Sequence, residues 1–321
     1  DGLGKFEHLI AQIGAIEKTT KISIQKKAVL VMCADNGVVE EQVSQSGKEV
    51  TLAVAKAMGV NNSSVGKMAA VAGVDVIPVD IGIDTDEVIP GVLPRKVAKG
   101  TKNFAKEPAM TEEEVLKAIE TGIQLVQQCH REGYEILATG EMGIGNTTTS
   151  TAVAAALLDL EVEQVTGKGA GLTEEALKRK CRVIEEAIEK YFLRDADAFT
   201  ILKTVGGLDI AGLTGVFIGA AIEQIPVVID GVISAVAALL AETLCKDAVN
   251  YMIPSHKSRE LAETAIMKKL HLDPVLDADM ALGEGTGAVM MMSLLDVALG
   301  VYLQGASFAN LEIEQYKRDD E

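Results

Sequence analysis

The sequence predicts an α/β fold in which helices flank a parallel sheet. Short apolar runs alternate with helical stretches, and each run suits a strand that is buried on both faces. The five predicted strands are residues 28–33, 74–79, 135–139, 226–229 and 249–253. Polar or glycine residues follow each run, and ligands of open α/β sheets bind where the strands end. We therefore expect a binding site along one edge of the sheet.

Two helices can be predicted from local signals. Thr111 and Glu114 have the spacing of a capping box, and the helix that follows is expected to end near Gly133. A second helix follows Thr173, where apolar residues repeat at helical spacing. That stripe consists of Leu177, Cys181, Ile184, Ile188 and Tyr191. Each helix is expected to bury one face.

The overall charge argues against a nucleic acid as partner. The chain has 321 residues, with 47 acidic and 30 basic side chains and a net charge of -17. Binding of a nucleic acid depends on Lys and Arg that neutralise its phosphates. A small anion remains a candidate ligand, because backbone N–H groups can hold a phosphate despite an unfavourable net charge.

Cysteine usage and hydropathy indicate a cytoplasmic protein. The four cysteines are far apart and form no CxxC motif, which favours a reducing compartment. The longest apolar runs, residues 226–240 and 285–301, are interrupted by Asp230 and Asp296. We therefore predict no membrane segment. The chain starts at Asp1 without a charged and then apolar leader.

A glycine-rich segment at residues 140–149 follows the third predicted strand and precedes a small-residue helix expected at 150–158. Its glycines can expose N–H groups at a helix N-terminus, which is how proteins cradle a phosphate. Gly143, Gly145, Asn146 and Thr147 are the candidate residues. The segment lacks the Lys of a P-loop and the third glycine of GxGxxG, and a structural turn is the alternative.

A second glycine-rich segment, residues 283–287, places Glu284 among three glycines. An unshielded carboxylate of this kind can act as a general base. It can equally be an ordinary acid at a helix N-terminus, stabilised by the helix dipole.

Three further features have both a functional and a structural interpretation. Gly206 and Gly207 precede an apolar helix, and Asp209 can bind a ribose hydroxyl or serve as a helix-terminal charge. Lys180 borders the stripe of the second helix, where it can reach an anion or extend to solvent. A basic, glycine-rich loop lies at residues 167–171.

Polar residues also follow the other predicted strands. Asp35, Asp230, Ser255 and His256 occupy such positions, and His256 is the only histidine that does. No His, Cys and Asp pattern has metal-ligand spacing, and no Ser lies in a nucleophile elbow. We predict neither a metal, nor another cofactor, nor covalent serine chemistry.

Nine segments, in this order and spacing, resemble one enzyme family over nearly the whole chain. They are ADNGV at 34–38, EVT at 49–51, VAKGTKNF at 97–104, EPAMT at 107–111, GEMGIGNTT at 140–148, VGG at 205–207, PVVIDG at 226–231, SHKS at 255–258 and LGEGTGA at 282–288. The family is that of the nicotinate-nucleotide–dimethylbenzimidazole phosphoribosyltransferases. These enzymes transfer phosphoribose from nicotinate mononucleotide to the base that becomes the lower ligand of cobamides.

The resemblance implies a Rossmann-like large domain at residues 28–299 and a small helical domain from the two chain ends, 1–27 and 300–321. It also implies a homodimer. The reaction inverts C1 of the ribose by direct attack, so no covalent intermediate is needed. Glu284 matches the family's catalytic base, and Glu141 matches a second carboxylate that can stabilise charge at C1. Lys180 matches an active-site position, and the N–H groups of residues 143–147 would hold the 5′-phosphate.

Departures from the family pattern lie near the expected pocket for the aromatic base. Asn36 replaces a usual His, and residues 46–48 replace a Pro-containing run. Ser44 and Leu52 should lie beside this pocket, where Gln is expected instead of Leu52. The accepted base could thus be a benzimidazole, a purine or a phenol. A weakly active subunit of a heterodimer is a further alternative, whereas a dinucleotide-dependent oxidoreductase would require the missing GxGxxG.

Overall fold

The computed structural model describes residues 2–167, 171–306 and 310–314. Six parallel strands form one sheet in the order β3-β2-β1-β4-β5-β6. The strands are β1 (Lys27–Ala34), β2 (Val74–Gly82), β3 (Leu93–Pro94), β4 (Ile136–Met142), β5 (Val227–Ile229) and β6 (Met252–Pro254). The predicted fold class is therefore confirmed.

Twelve α-helices in the described residues connect and cover the strands. They are α1 (Lys5–Glu17), α2 (Glu49–Gly59), α3 (Ser64–Ala72), α4 (Glu112–Arg131), α5 (Asn146–Leu158), α6 (Val162–Val165), α7 (Glu174–Lys190), α8 (Ala198–Val205), α9 (Leu208–Glu223), α10 (Val232–Leu244), α11 (Leu261–Leu270) and α12 (Thr286–Gln304). Two apolar clusters form the core, one on each face of the sheet. All eight residues of β1 are buried between them.

Most of the elements that were predicted lie where local signals placed them. The capping box is confirmed, since Thr111 accepts from the Glu114 N–H and Glu114 accepts from the Thr111 N–H. Four boundaries were wrong by three or four residues. Two of them are strand ends, since β2 continues to Gly82 and β4 to Met142, each three residues beyond its predicted end. The last predicted strand starts only at Met252, because the residues before it form a short 3₁₀ helix, and α5 starts at Asn146 rather than at residue 150. The two-residue strand β3 was not predicted.

The strand order determines where a ligand can bind. The chain proceeds outward from β1 in one direction to β2 and β3, and then returns to build β4, β5 and β6 on the other side. The connections on the two sides of β1 therefore separate at the carboxyl ends of β1 and β4 and leave a crevice there. Asp35 follows β1 and Gly143 follows β4, so both lie at this crevice.

The end of α12 lies close to the segment that follows α1. Tyr302, near the end of α12, donates from its hydroxyl to the carbonyl of Thr20, 3.2 Å away. The predicted domain boundary at 299/300 falls inside α12, and residues 307–309 and 315–321 lie outside the described part of the chain. The division into two domains stays a prediction.

Among the described residues, only α12 is long and apolar enough to cross a membrane by length and composition. Half of its apolar window is buried inside the protein. Its Asp296 also forms an ion pair of 3.1 Å with the buried Lys27 at the start of β1. These contacts are those of a core helix.

Candidate active site

A cleft of about 240 Å³ lies at the carboxyl ends of β4, β5 and β6. Seven predicted site residues line it: Glu141, Gly143, Asn146, Thr147, Asp230, His256 and Glu284. Further lining residues were not predicted as site residues: Met142, Ile144, Gly231, Val232, Ile233, Ser234, Ser258, Glu260, Ala281, Leu282 and Gly283. Only four of them adjoin a predicted site residue in sequence, and that adjacency was the available signal for these four: Met142, Ile144, Gly231 and Gly283.

The Asn146 amide bridges two buried carboxyl groups, that of Glu141 in the cleft and that of Asp209 behind it. Its Nδ2 donates to Glu141 Oε2 and, over 3.1 Å, to Asp209 Oδ2. Burial and, to a smaller extent, the nearby Asp209 charge raise the pKa of Glu141 to about 8, against the lowering effect of the Asn146 hydrogen bond. Burial likewise raises the pKa of Asp209 to about 6. Near neutral pH, Glu141 therefore holds its proton in the free protein.

The raised pKa of Glu141 predicts that the stability of the folded protein depends on pH. Between the unfolded value of 4.5 and the folded value of about 8, the native protein binds more protons than the unfolded chain. Stability conferred by this group is therefore lost as pH rises through that window. Glu141→Gln keeps an acceptor for Asn146 but does not titrate. The melting temperature of the variant minus that of the wild type should therefore be larger at pH 8 than at pH 5. Thermal unfolding at both pH values measures this, with the exposed Glu112→Gln as control. A difference that does not depend on pH would contradict the assignment.

The glycine segment after β4 packs closely against β1. A Cβ on Gly143 would lie 2.5 Å from the carbonyl oxygen of Ala34, and Gly145 has a φ of +93°. Within residues 143–147, two N–H groups are already bound inside the protein: Ile144 donates to Thr51 Oγ1 and Asn146 to the Gly143 carbonyl. The predicted phosphate cradle must therefore depend on the remaining N–H groups and on neighbouring side chains.

Lys180 is a neighbour of this segment. Its side chain is fully buried on the inner face of α7, so the interpretation that it extends to solvent is wrong. Nζ donates to Thr147 Oγ1 at 3.0 Å and to the Gly167 carbonyl at 3.3 Å. Burial lowers the pKa of Lys180 to about 8. Residues 168–170 of the predicted basic loop lie outside the described residues.

Glu284 enters the cleft from a strained backbone position before α12. Its φ is +61°, and a Cβ on Gly140 would lie 2.6 Å from the Glu284 carbonyl oxygen. Oε2 accepts from the Val65 N–H at 3.0 Å, in the first turn of α3. The structural alternative assumed that the carboxylate lies at the N-terminus of the helix that follows it, α12. It lies instead at the N-terminus of α3. A Cβ on Gly283 would lie 2.9 Å from Glu141 Oε1, so a glycine at this position leaves room for the Glu141 carboxyl.

Asp230 holds the segment that carries Glu284. Its carboxylate accepts from the N–H groups of Gly285, Gly287 and Ala288 at 3.1, 2.8 and 3.1 Å. Burial raises the pKa of Asp230 and lowers that of the adjacent His256. Asp230 therefore caps α12 and fixes the backbone next to Glu284.

The Ser255 hydroxyl lies between Asp230 and His256. It is 2.9 Å from His256 Nδ1 and 3.3 Å from the Asp230 carbonyl oxygen. The ring of His256 faces the α12 terminus, since a Cβ on Gly287 would collide with it. Ser255 thus orients His256 from behind the cleft.

Several predicted site residues do not line the cleft: Asp35, Ser44, Leu52, Gly145, Lys180, Gly206, Gly207, Asp209 and Ser255. Asp35 accepts from the Asp84 N–H at 2.8 Å, and Ser44 accepts from the Ser46 N–H at 3.2 Å. Leu52 packs on the core. Gly207 allows close approach of the Asn36 and Asp209 side chains. Their roles as substrate ligands stay predictions.

Comparison with known families places the chain in the class of phosphoribosyltransferases. A family profile described as phosphoribosyltransferase matches residues 1–313. Two nicotinate-nucleotide–dimethylbenzimidazole phosphoribosyltransferases, from Acetivibrio thermocellus and Clostridium acetobutylicum, are each 44% identical over 315 residues, which cover 98% of this chain and 90% of theirs.

Solved structures agree with these relatives. The crystal structure of CobT from Thermus thermophilus matches with a TM-score of 0.93 at 34% identity, covering 98% of this chain and 94% of that one. The chain belongs to the nicotinate-nucleotide–dimethylbenzimidazole phosphoribosyltransferase family. It is a pentosyltransferase, and the resemblance found in the sequence is confirmed.

Proposed function

We propose that the cleft transfers the 5-phosphoribosyl group of nicotinate mononucleotide to 5,6-dimethylbenzimidazole, releasing nicotinate and forming an α-riboside 5-phosphate for cobamide synthesis. The observation that carries this proposal is the arrangement of one cleft. Glu284 and Glu141 line it together with Gly143, Ile144, Asn146 and Thr147, and Lys180 contacts Thr147. The names of the relatives support the same reaction.

Glu284 acts as the general base. The incoming imidazole must lose the proton of its second nitrogen as the first nitrogen attacks C1, and Glu284 accepts that proton. Nicotinate leaves as a pyridine from a cationic pyridinium, so the leaving group needs little acid catalysis. A positioned base contributes roughly 10²- to 10⁴-fold to the rate. Its hydrogen bond to Val65 orients the carboxylate.

Glu141 stabilises the positive charge that develops on the ribose. In the free protein the carboxyl is protonated near neutral pH, because burial raises its pKa to about 8. A cationic pyridinium and an oxocarbenium-like ribose both favour the ionised form. Binding of the substrate therefore lowers the pKa of Glu141 and supplies the negative charge where it is needed. Asn146 keeps the carboxyl oriented in both states.

The phosphate lies at the other side of Asn146, near Thr147. Backbone N–H groups of the glycine segment and the N-terminus of α5 attract it. The Lys180 ammonium, held by Thr147 Oγ1, adds a positive charge. Because a phosphate dianion favours the charged amine, its binding raises the pKa of Lys180 above about 8.

The accepted base, the oligomeric state and the location are finer parts of the proposal. Dimethylbenzimidazole is the base named for the relatives, and the altered residues Asn36 and Leu52 make purines and phenols the alternatives to test. We propose a cytoplasmic homodimer; light scattering of the purified chain measures its mass. A heterodimer would require a second, related chain for activity.

The testing experiment is nicotinate release from nicotinate mononucleotide by the purified chain alone. Dimethylbenzimidazole, adenine and p-cresol are offered separately, and the products are separated by chromatography. Release with dimethylbenzimidazole supports the proposal in full. Release with another acceptor alone would change the base but keep the reaction class. Absence of release with all three would refute the proposal for the isolated chain.

A further inference from the structure

Residues 256–260 connect β6 to α11 and form one wall of the cleft. His256, Ser258 and Glu260 of this wall line the cleft. The wall lies on the phosphate side, because a Cβ on Gly167 would collide with the Glu260 carboxylate, and Lys180 donates to the Gly167 carbonyl. The position of this wall therefore affects the space in which the phosphoribosyl group lies.

Glu263 holds this wall from behind. It lies in the first turn of α11, is 1% exposed, and does not line the cleft. Its Oε2 accepts from the Ser258 N–H, and the Ser258 hydroxyl accepts from the Glu260 N–H at 3.2 Å. The carboxyl of Glu263 thus fixes the backbone from which the two cleft-lining side chains extend.

The environment of Glu263 does not suit an ionised carboxylate. No ion pair to Glu263 exists among residues 2–167, 171–306 and 310–314, and its Oε1 has no hydrogen-bond partner there. An acid in the first turn of a helix is ordinarily solvated, whereas an unpaired buried charge is costly. A protonated carboxyl, which can still accept from Ser258 through its carbonyl oxygen, avoids this cost.

We propose that Glu263, in its protonated form, is a positioning residue that holds the wall at residues 256–260 against the bound nucleotide. This inference rests on the function proposed for the cleft and goes beyond it, because Glu263 touches no substrate. Ionisation of Glu263 beside the Asp230 carboxylate would loosen the wall and weaken binding of nicotinate mononucleotide.

The surrounding charges agree with this proposal. Burial, together with the Asp230 charge, raises the pKa of Glu263 to about 8, against the lowering effect of the Ser258 N–H. Of the helices packed against α11, α5 has no ionisable side chain, whereas α6 carries Glu163 and α10 carries Glu242. His256 lies near Asp230, and burial keeps it neutral by lowering its pKa.

The test compares two substitutions by steady-state kinetics at pH 7. Glu263→Leu removes the acceptor for Ser258, and we expect KM for nicotinate mononucleotide to rise about 5- to 10-fold while kcat changes by less than about twofold. Glu263→Gln retains a neutral acceptor and should keep the wild-type KM. Lys268→Leu, on the exposed side of α11, is the matched control and should change neither constant.

A pH series separates the proposal from a purely structural role. From pH 7 to pH 9, KM of the wild type should rise more steeply than that of Glu263→Gln, because Lys180 and Glu141 titrate in both proteins but Glu263 only in the wild type. Parallel curves would overturn the proposal, as would a wild-type KM in Glu263→Leu. If Glu263→Leu does not fold, the pH comparison decides alone. An inactive wild type would instead refute the function proposed for the cleft.

Discussion

Glu284→Gln is expected to lower kcat by at least about 10²-fold, while the protein still folds and binds nicotinate mononucleotide. The amide can still accept the hydrogen bond from Val65, so the segment before α12 should keep its conformation. It cannot accept the proton of the attacking imidazole. Turnover with dimethylbenzimidazole, melting temperature and calorimetric binding of the nucleotide measure the three quantities.

The control for this variant is Glu112→Gln, an exposed glutamate in the first turn of α4. It removes the same charge from the protein outside the cleft and should leave turnover unchanged. Wild-type turnover in Glu284→Gln would refute the assignment of the base. A large fall in its melting temperature would show that Glu284 acts mainly by capping α3.

Lys180→Met is expected to raise KM for nicotinate mononucleotide by roughly 10- to 100-fold, since a hydrogen bond to a charged group contributes about 1.5 to 3 kcal/mol. The variant should bind the nucleotide more weakly, but it should be no less stable than the wild type. The folded pKa of about 8 lies below the unfolded value of 10.5, so the native state binds fewer protons in that window. Wild-type stability therefore falls as pH decreases through it, and the uncharged Met variant should melt no lower than wild type at pH 7.

Lys178→Met provides the matched control, because Lys178 lies on the exposed face of the same helix. It should leave both KM and melting temperature near the wild-type values. An unchanged KM in Lys180→Met would contradict a role in phosphate binding. A marked loss of stability would indicate that the ammonium is needed for the packing of α7.

Local patterns in the sequence were sufficient for much of the fold. The capping box at Thr111 depends only on residues three positions apart, and the apolar runs of the strands reflect burial on both faces. The last strand was placed too early because the apolar residues of the 3₁₀ helix Ala248–Tyr251 look like a strand by hydrophobicity alone. Short elements such as β3 have too few residues to show a period.

The burial of Lys180 could not be predicted in this way. The buried face of a helix is predicted from its apolar residues alone. A lysine on the inner face of α7 is therefore placed at the border of the apolar stripe. Its partners, Thr147 and Gly167, are 33 and 13 residues away and become neighbours only through the fold. The buried position is supported by hydrogen bonds that no local pattern contains.

In the candidate site, too, local patterns predicted some features, whereas contacts between distant residues were not predicted. The residues at the strand ends identified the edge where the cleft lies, and the family resemblance identified Glu284 and Glu141 as its carboxylates. Long-range contacts could not be predicted. Asp230 binds N–H groups 55 to 58 residues away, and Glu284 binds Val65 over 219 residues. These contacts determine how the carboxylates are held.

The most direct test of the central claim, a direct displacement at C1 assisted by Glu284, is the configuration of the riboside product. Proton NMR of the H1′ signal distinguishes the two anomers after reaction of nicotinate mononucleotide, whose C1 is β, with the accepted base. Direct displacement predicts the α-riboside 5-phosphate alone. A β-riboside product would require two successive displacements and an intermediate, and it would contradict the account.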